Sequence, residues 1–110
     1  MMAKFIKKKR KFIANKKTNL SVTNVGKIKL KSNEHLEINF LRNKENEVCA
    51  MNWGIYATSS INKRLKNQNC STYLTKNVYK KKFIMIVENN KKKFFKEYCK
   101  KEKIKIVKKI

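Results

Sequence analysis

The 110-residue chain contains no proline, no aspartate and only two glycines, and seven glutamates stand against 30 Lys+Arg. Without aspartate, a metal-bound phosphoryl-transfer site would rest on glutamate alone. There is one histidine, His35, and there are three cysteines, Cys49, Cys70 and Cys99, with no C-x-x-C pair. That inventory excludes a zinc site of the usual Cys/His spacing. Three widely spaced cysteines read most simply as reduced thiols, in a cytoplasm or an organelle matrix. No run approaches the roughly 18 apolar residues of a spanning helix. Lysines isolate Phe5-Ile6 from Phe12-Ile13, so the basic start lacks the apolar stretch of a secretory signal. Its preference for lysine over Arg and Ser also speaks against a mitochondrial presequence. The length allows one domain with a modest core and no large catalytic cleft.

What is present in excess is positive charge. The formal net charge is +23, yet 41% of the residues are hydrophobic, too many for a disordered basic tail. Lys, Asn, Ile, Phe and Tyr supply 62 of the 110 residues. That is the profile of an AT-rich genome, in which lysine replaces arginine without functional meaning. Glutamate and aspartate also have AT-tolerant codons, so the same bias leaves the acid deficit unexplained. The deficit points to a polyanionic partner. The charge is also uneven: residues 1–32 carry +11, residues 33–60 carry −2 and residues 61–110 carry +14.

Residues 1–20 read as a basic arm, mobile when alone and able to turn helical against a partner through Phe5/Ile6 and Phe12/Ile13. Residues 21–110 read as a single domain. Ile28 and Leu30 alternate with Lys27, Lys29 and Lys31, and Leu36, Ile38 and Phe40 alternate with His35, Glu37 and Asn39. Both patterns predict half-buried strands. A third strand over 47–53 completes a meander. Ile61 and Leu65 share a face of a short helix ending near Asn67, with Thr58, Ser59 and Ser60 as candidate caps. A strand over 71–76 follows. KFIMIVE at 82–88 is apolar on both faces, as in a central strand. Asn90 is placed to cap a second helix with a buried stripe of Phe94, Phe95, Tyr98 and Cys99. A lysine-rich edge strand over 103–107 closes the chain. The expected class is α+β, a mostly antiparallel sheet of five to six strands with two helices in the order β-β-β-α-β-β-α-β.

The densest stretch of features is Trp53–Leu65. Thr58, Ser59 and Ser60 open a helix and Lys63 and Arg64 follow, a set that can hold an anion at the helix N-terminus. Helix capping alone accounts for the same hydroxyls. The spacing is not that of a P-loop. Trp53, Tyr56 and Asn62 are candidates to wall a pocket. The run WGIYATSSINKRL, with YLTKN and FIMIVE downstream, resembles a set of small bacterial proteins carrying a WGxYATxSxNxRL-type segment. The resemblance covers roughly residues 34–107 and leaves the basic arm as an addition. It implies that Trp53, Gly54, Tyr56, Thr58, Ser60, Asn62 and Arg64 matter together, and it brings no activity with it.

No catalytic residues are assigned. Glu45 and Glu47 share a face only if the third strand begins early, and a Cys49–His35 dyad would need the second and third strands to pair. No metal or cofactor is expected. The leading expectation is a non-catalytic RNA-binding module of ribonucleoprotein type. Its phosphate contacts would come from Lys7, Lys8, Lys9, Arg10 and Lys11, from Lys80, Lys81 and Lys82, and from Lys91, Lys92 and Lys93. The alternative is a phosphorylated metabolite, a nucleotide or sugar phosphate, held at Thr58–Arg64. A membrane-surface role ranks last, because the arm carries too little apolar surface.

Overall fold

The computed structural model describes residues 4–110. The class is α+β with antiparallel strands and two helices, but among the described residues ten strands in four small sheets replace the five to six expected. The chain divides into two compact units, one ending at Thr58 and one running from Ser59 to Ile110.

The first unit is built from hairpins. β1 (Lys4–Ile6) pairs with β4 (Lys27–Lys29), and β2 (Arg10–Asn15) pairs with β3 (Leu20–Asn24). The stretch expected as a basic arm thus carries two strands from Lys4 onward, and its boundary at residue 20 falls where β3 begins. With so little glycine, the turn rests on asparagine. Asn15 Oδ1 accepts the Lys17 N–H at 3.1 Å, and Asn19 takes a left-handed φ of 61°, a conformation asparagine tolerates. Gly26 is needed where it stands. A Cβ there would lie 2.7 Å from the Ile6 carbonyl oxygen, so no other residue lets β1 and β4 approach.

β5 (Glu34–Phe40), β6 (Lys44–Met51) and β7 (Gly54–Ala57) form a three-strand meander in that order. It lies one strand later than expected, because β4 turns away to β1. β7 was not anticipated; a tight turn at Asn52-Trp53 reverses the chain between the paired residues Met51 and Gly54. Alternation puts Leu36, Ile38, Val48, Ala50 and Ile55 on one face. His35, Glu37, Asn39, Glu45, Glu47, Cys49 and Tyr56 occupy the other.

In the second unit, α1 (Arg64–Asn67) is a single turn whose Leu65 is buried to 2% exposure. The three-strand sheet has the order β10–β8–β9, with β8 (Cys70–Lys76) in the centre, β9 (Lys82–Glu88) on one edge and β10 (Lys105–Lys109) on the other. This corrects the expectation that KFIMIVE is central. Only its far end is covered, and Phe83 and Ile84 are exposed. The hydroxyl-rich CSTYLTK is the central strand, with Thr72 and Thr75 fully buried.

α2 (Lys92–Glu102) packs on this sheet through Phe95, whose ring lies 5.3 Å from that of Tyr73. The inward line is half-buried Phe95 with buried Cys99 and Glu102, spaced i, i+4, i+7. Phe94, expected in that stripe, is 61% exposed under the Lys91 ammonium. Asn90 does not cap the helix. A 3-10 turn over Asn89–Lys91 precedes it, and the Asn89 side chain is engaged with Ser71 and Asn69. The helix ends at Lys103 in the left-handed region, with the Ile104 N–H donating to the Cys99 carbonyl at 2.7 Å. Among the described residues, the buried hydrophobics Leu65, Cys70, Val87 and Cys99 all belong to this second unit.

Candidate functional site

The register of the second unit gathers lysines that are far apart in sequence. Lys76 on β8 lies directly opposite Lys105 on β10 and directly opposite Lys82 on β9. Residues paired in this way share a sheet face with Cβ atoms roughly 5 Å apart, and like charges so placed destabilise the sheet. Here three occupy one row across all three strands. Lys108 joins the same face beyond a bulge, opposite Leu74, which itself pairs with Ile84. The face therefore presents lysines beside an aliphatic side chain, Ile84, that is 59% exposed. Among the described residues, none of Lys76, Lys82 and Lys105 has a carboxylate within ion-pair distance.

The β8–β9 turn extends this positive end. Asn77 Oδ1 accepts the N–H groups of Tyr79 and Lys81 at 2.9 and 3.0 Å, and the Asn77 carbonyl accepts that of Lys80. One asparagine thus shapes the loop that holds Lys80 and Lys81 exposed next to Lys82. Lys91, Lys92 and Lys93 lie past the other end of β9, about 20 Å away by strand rise. Of the two clusters expected in the second unit, only Lys80–Lys82 joins the row.

The remaining candidates are dispersed. Lys7, Lys8 and Lys9 occupy the link between β1 and β2, and Arg10 and Lys11 open β2, all exposed. The Arg10 guanidinium lies 5.4 Å from the centre of the Phe12 ring. Thr58 closes the first unit, where its Oγ1 is 3.4 Å from His35 Nε2. Ser59 is buried, and Ser60 Oγ accepts the Arg64 N–H at 2.9 Å. The helix starts at Arg64, four residues later than the hydroxyls suggested, so Ser60 serves the turn that precedes it. Lys63 and Arg64 are exposed. Trp53 and Tyr56 stack at 5.9 Å across the β6–β7 hairpin, with Trp53 69% exposed, while Asn62 sits in the second unit.

Sequence reasoning left one cluster unassigned. β6 begins at Lys44, early enough for Glu45 and Glu47 to share a face. Glu37 pairs with Glu47 across the sheet, and His35 Nε2 lies 3.8 Å from Glu47 Oε1. A hydrogen bond with Glu45 and the repulsion of that carboxylate hold Glu37 above its ordinary pKa, and Glu47 adds to the push. His35 and Cys49 are register partners, yet no dyad forms. The Cys49 thiol contacts the Ala50 carbonyl and Met51 Sδ, and His35 faces Thr58 and Glu47.

Among the described residues, no helix is long and apolar enough to cross a membrane. The chain matches no protein-family model, no curated protein and no solved structure.

Proposed function

We propose that the protein is a non-catalytic RNA-binding module of ribonucleoprotein type that engages phosphates through lysine. The observation that carries this reading is the row Lys105–Lys76–Lys82 with its adjoining turn. Three ammonium groups in register cost the fold stability, and a polyanion laid along the row reverses that cost. The exposed Ile84 beside the row offers an apolar surface to sugars or unstacked bases. Further lysines at β2 and at the start of α2 add affinity that is insensitive to sequence. Three cysteines, none of them in a disulfide among the described residues, fit a reducing compartment, for which the cytoplasm is the simplest choice.

The test is the affinity of the full-length protein for a short RNA hairpin across a salt series, with heparin as competitor at each point. The expected result is a linear fall of log affinity with log salt that stays measurable near physiological salt, with RNA preferred over heparin. Binding that vanishes by physiological salt, or equal competition by heparin, would overturn the reading. The phosphorylated-metabolite alternative at Thr58–Arg64 would then take its place.

A further inference from the structure

The face of the β5–β6–β7 sheet that carries His35, Glu37 and Glu47 has the composition of a coordination site. In a chain with 27 lysines, the same-face positions of these three strands hold no Lys or Arg. They are His35, Glu37, Asn39, Glu45, Glu47, Cys49, Met51, Gly54 and Tyr56. Lysine does stand at exposed positions of β1, β2, β4, β9 and β10, while β3, like β7, has none. On this lysine-free face an imidazole and carboxylates converge.

We propose that His35, Glu37 and Glu47 bind one divalent cation of the zinc class through the imidazole Nε2 and two carboxylates. One donor atom from each residue lies within 4.8 Å of the others, and the His35–Glu47 pair is already at 3.8 Å. Zinc bonds to nitrogen and oxygen are about 2.0–2.2 Å, so small rotamer changes in Glu37 and His35, both exposed, close the remaining gap. Glu47 is the fixed member. Its side chain is 7% exposed, held in the middle of the central strand of the meander. His35 and Glu37 are two residues apart on β5 and so project from the same face. The neighbouring strand supplies Glu47 opposite Glu37, which gives a facial set of three.

The donors select the metal. An imidazole disfavours magnesium and calcium, and two carboxylates without thiolate disfavour Cu(I). Three protein donors leave a fourth position on zinc open to water or to a ligand. Thr58 Oγ1, 3.4 Å from His35 Nε2, shares the nitrogen that would hold the metal, so coordination replaces that contact. Spacing rules look for close pairs along the chain, and this set is formed across two strands.

The experiment uses the full-length protein, treated with EDTA and desalted, and titrated calorimetrically with zinc chloride and separately with magnesium chloride. One equivalent of zinc is expected to bind, with no magnesium heat. His35→Ala and Glu47→Gln should each weaken zinc by about tenfold or more, and Glu34→Gln, on the opposite face, should leave it unchanged. Cobalt substitution checks the donor set: the spectrum should show d–d bands without a thiolate charge-transfer band. If Glu47→Gln fails to fold, His35→Ala at the exposed position carries the test alone. Absence of zinc binding, unaltered affinity in His35→Ala, or a cobalt–thiolate band would each overturn the proposal. None of these outcomes bears on RNA affinity.

Discussion

Replacing Lys76, Lys82 and Lys105 together with glutamine should weaken RNA binding without weakening the fold. Each phosphate contact contributes about 0.7–0.9 to the slope of log affinity against log salt, so losing three lowers the slope by about 2–2.7. Over a fourfold rise from about 50 to 200 mM salt, the parent protein should lose roughly 20- to 40-fold more affinity than the variant. Stability should move the other way. Each of the two like-charged cross-strand pairs costs the sheet roughly 0.2–1 kcal/mol, with Lys82 and Lys105 exposed and screened towards the lower end. The urea midpoint should therefore stay level or rise. Fluorescence anisotropy with a labelled hairpin reads the slope, and far-UV circular dichroism reads the midpoint. Lys96, Lys100 and Lys101 on α2 provide a control that removes the same net charge away from the row. An equal fall in slope for that control would show that net charge, not the row, drives binding. A urea midpoint that drops with the affinity would show that the row is structural.

Four further outcomes test the fold. Leu65→Ala should destabilise the second unit by about 2–5 kcal/mol, the usual cost of emptying a fully buried leucine site; a loss under about 1 kcal/mol would refute its place in the core. Circular dichroism is the appropriate probe, since the only tryptophan, Trp53, lies in the first unit. Lys103→Gly should stabilise by about 0.5–1 kcal/mol in urea titration, because a left-handed L-residue costs roughly 1–2 kcal/mol and glycine returns part of that as chain entropy. A destabilised variant would contradict the cap geometry. In native protein, mass spectrometry after alkylation should find Cys49 labelled well before the buried Cys70 and Cys99, and simultaneous labelling of all three would be inconsistent with this packing. Burial first, then the nearby Glu102 and Cys99, raise Tyr98 above its ordinary 10.0, and burial raises Cys99 above 9.0. The unfolded chain then releases these protons at lower pH than the folded one, so their contribution is intact at neutral pH and is lost as pH climbs past 9 to 10. Tyr98→Phe should accordingly lose less stability than the parent between about pH 8 and 10.5, and an equal loss would rule out the tyrosine as a source.

The elements that could be read from the chain are those whose signal is local. The alternation in β5, the apolar length of β9 and the run of helix formers in α2 each depend on neighbours within a few residues. What escaped depends on pairing. Apolar residues on both faces of β9 looked central, but the covered position went to β8, whose threonines are buried and branched without being hydrophobic. β7 was hidden because a two-residue turn leaves no gap in the apolar pattern. The aromatic type of Phe94 predicts a place in the buried stripe, but its position lies about 100° around the helix from Phe95 and leaves it exposed. The lysine row and the His35–Glu37–Glu47 cluster both arise from cross-strand register, and no spacing within one segment encodes either. Of the residues proposed for RNA contact, Lys80, Lys81 and Lys82 were visible as a local run. Lys76, between Thr75 and Asn77, and Lys105, between Ile104 and Ile106, were not, because only the pairing of β8 with β9 and β10 brings them to Lys82.

The uneven placement of buried apolar side chains also bears on how the protein is made. The unit ending at Thr58 leaves the ribosome first, and Ser59–Ile110, which holds all four buried hydrophobics among the described residues, follows. At about 5–20 residues per second, that second stretch takes roughly 3–10 s to appear. For those seconds the nascent chain consists of short hairpins with Phe5, Ile38, Trp53 and Ile55 open to solvent, the kind of surface on which neighbouring chains associate. The lysines of β1, β2 and β4 add like-charge repulsion between such unfinished copies, as gatekeeper residues do beside exposed apolar strands.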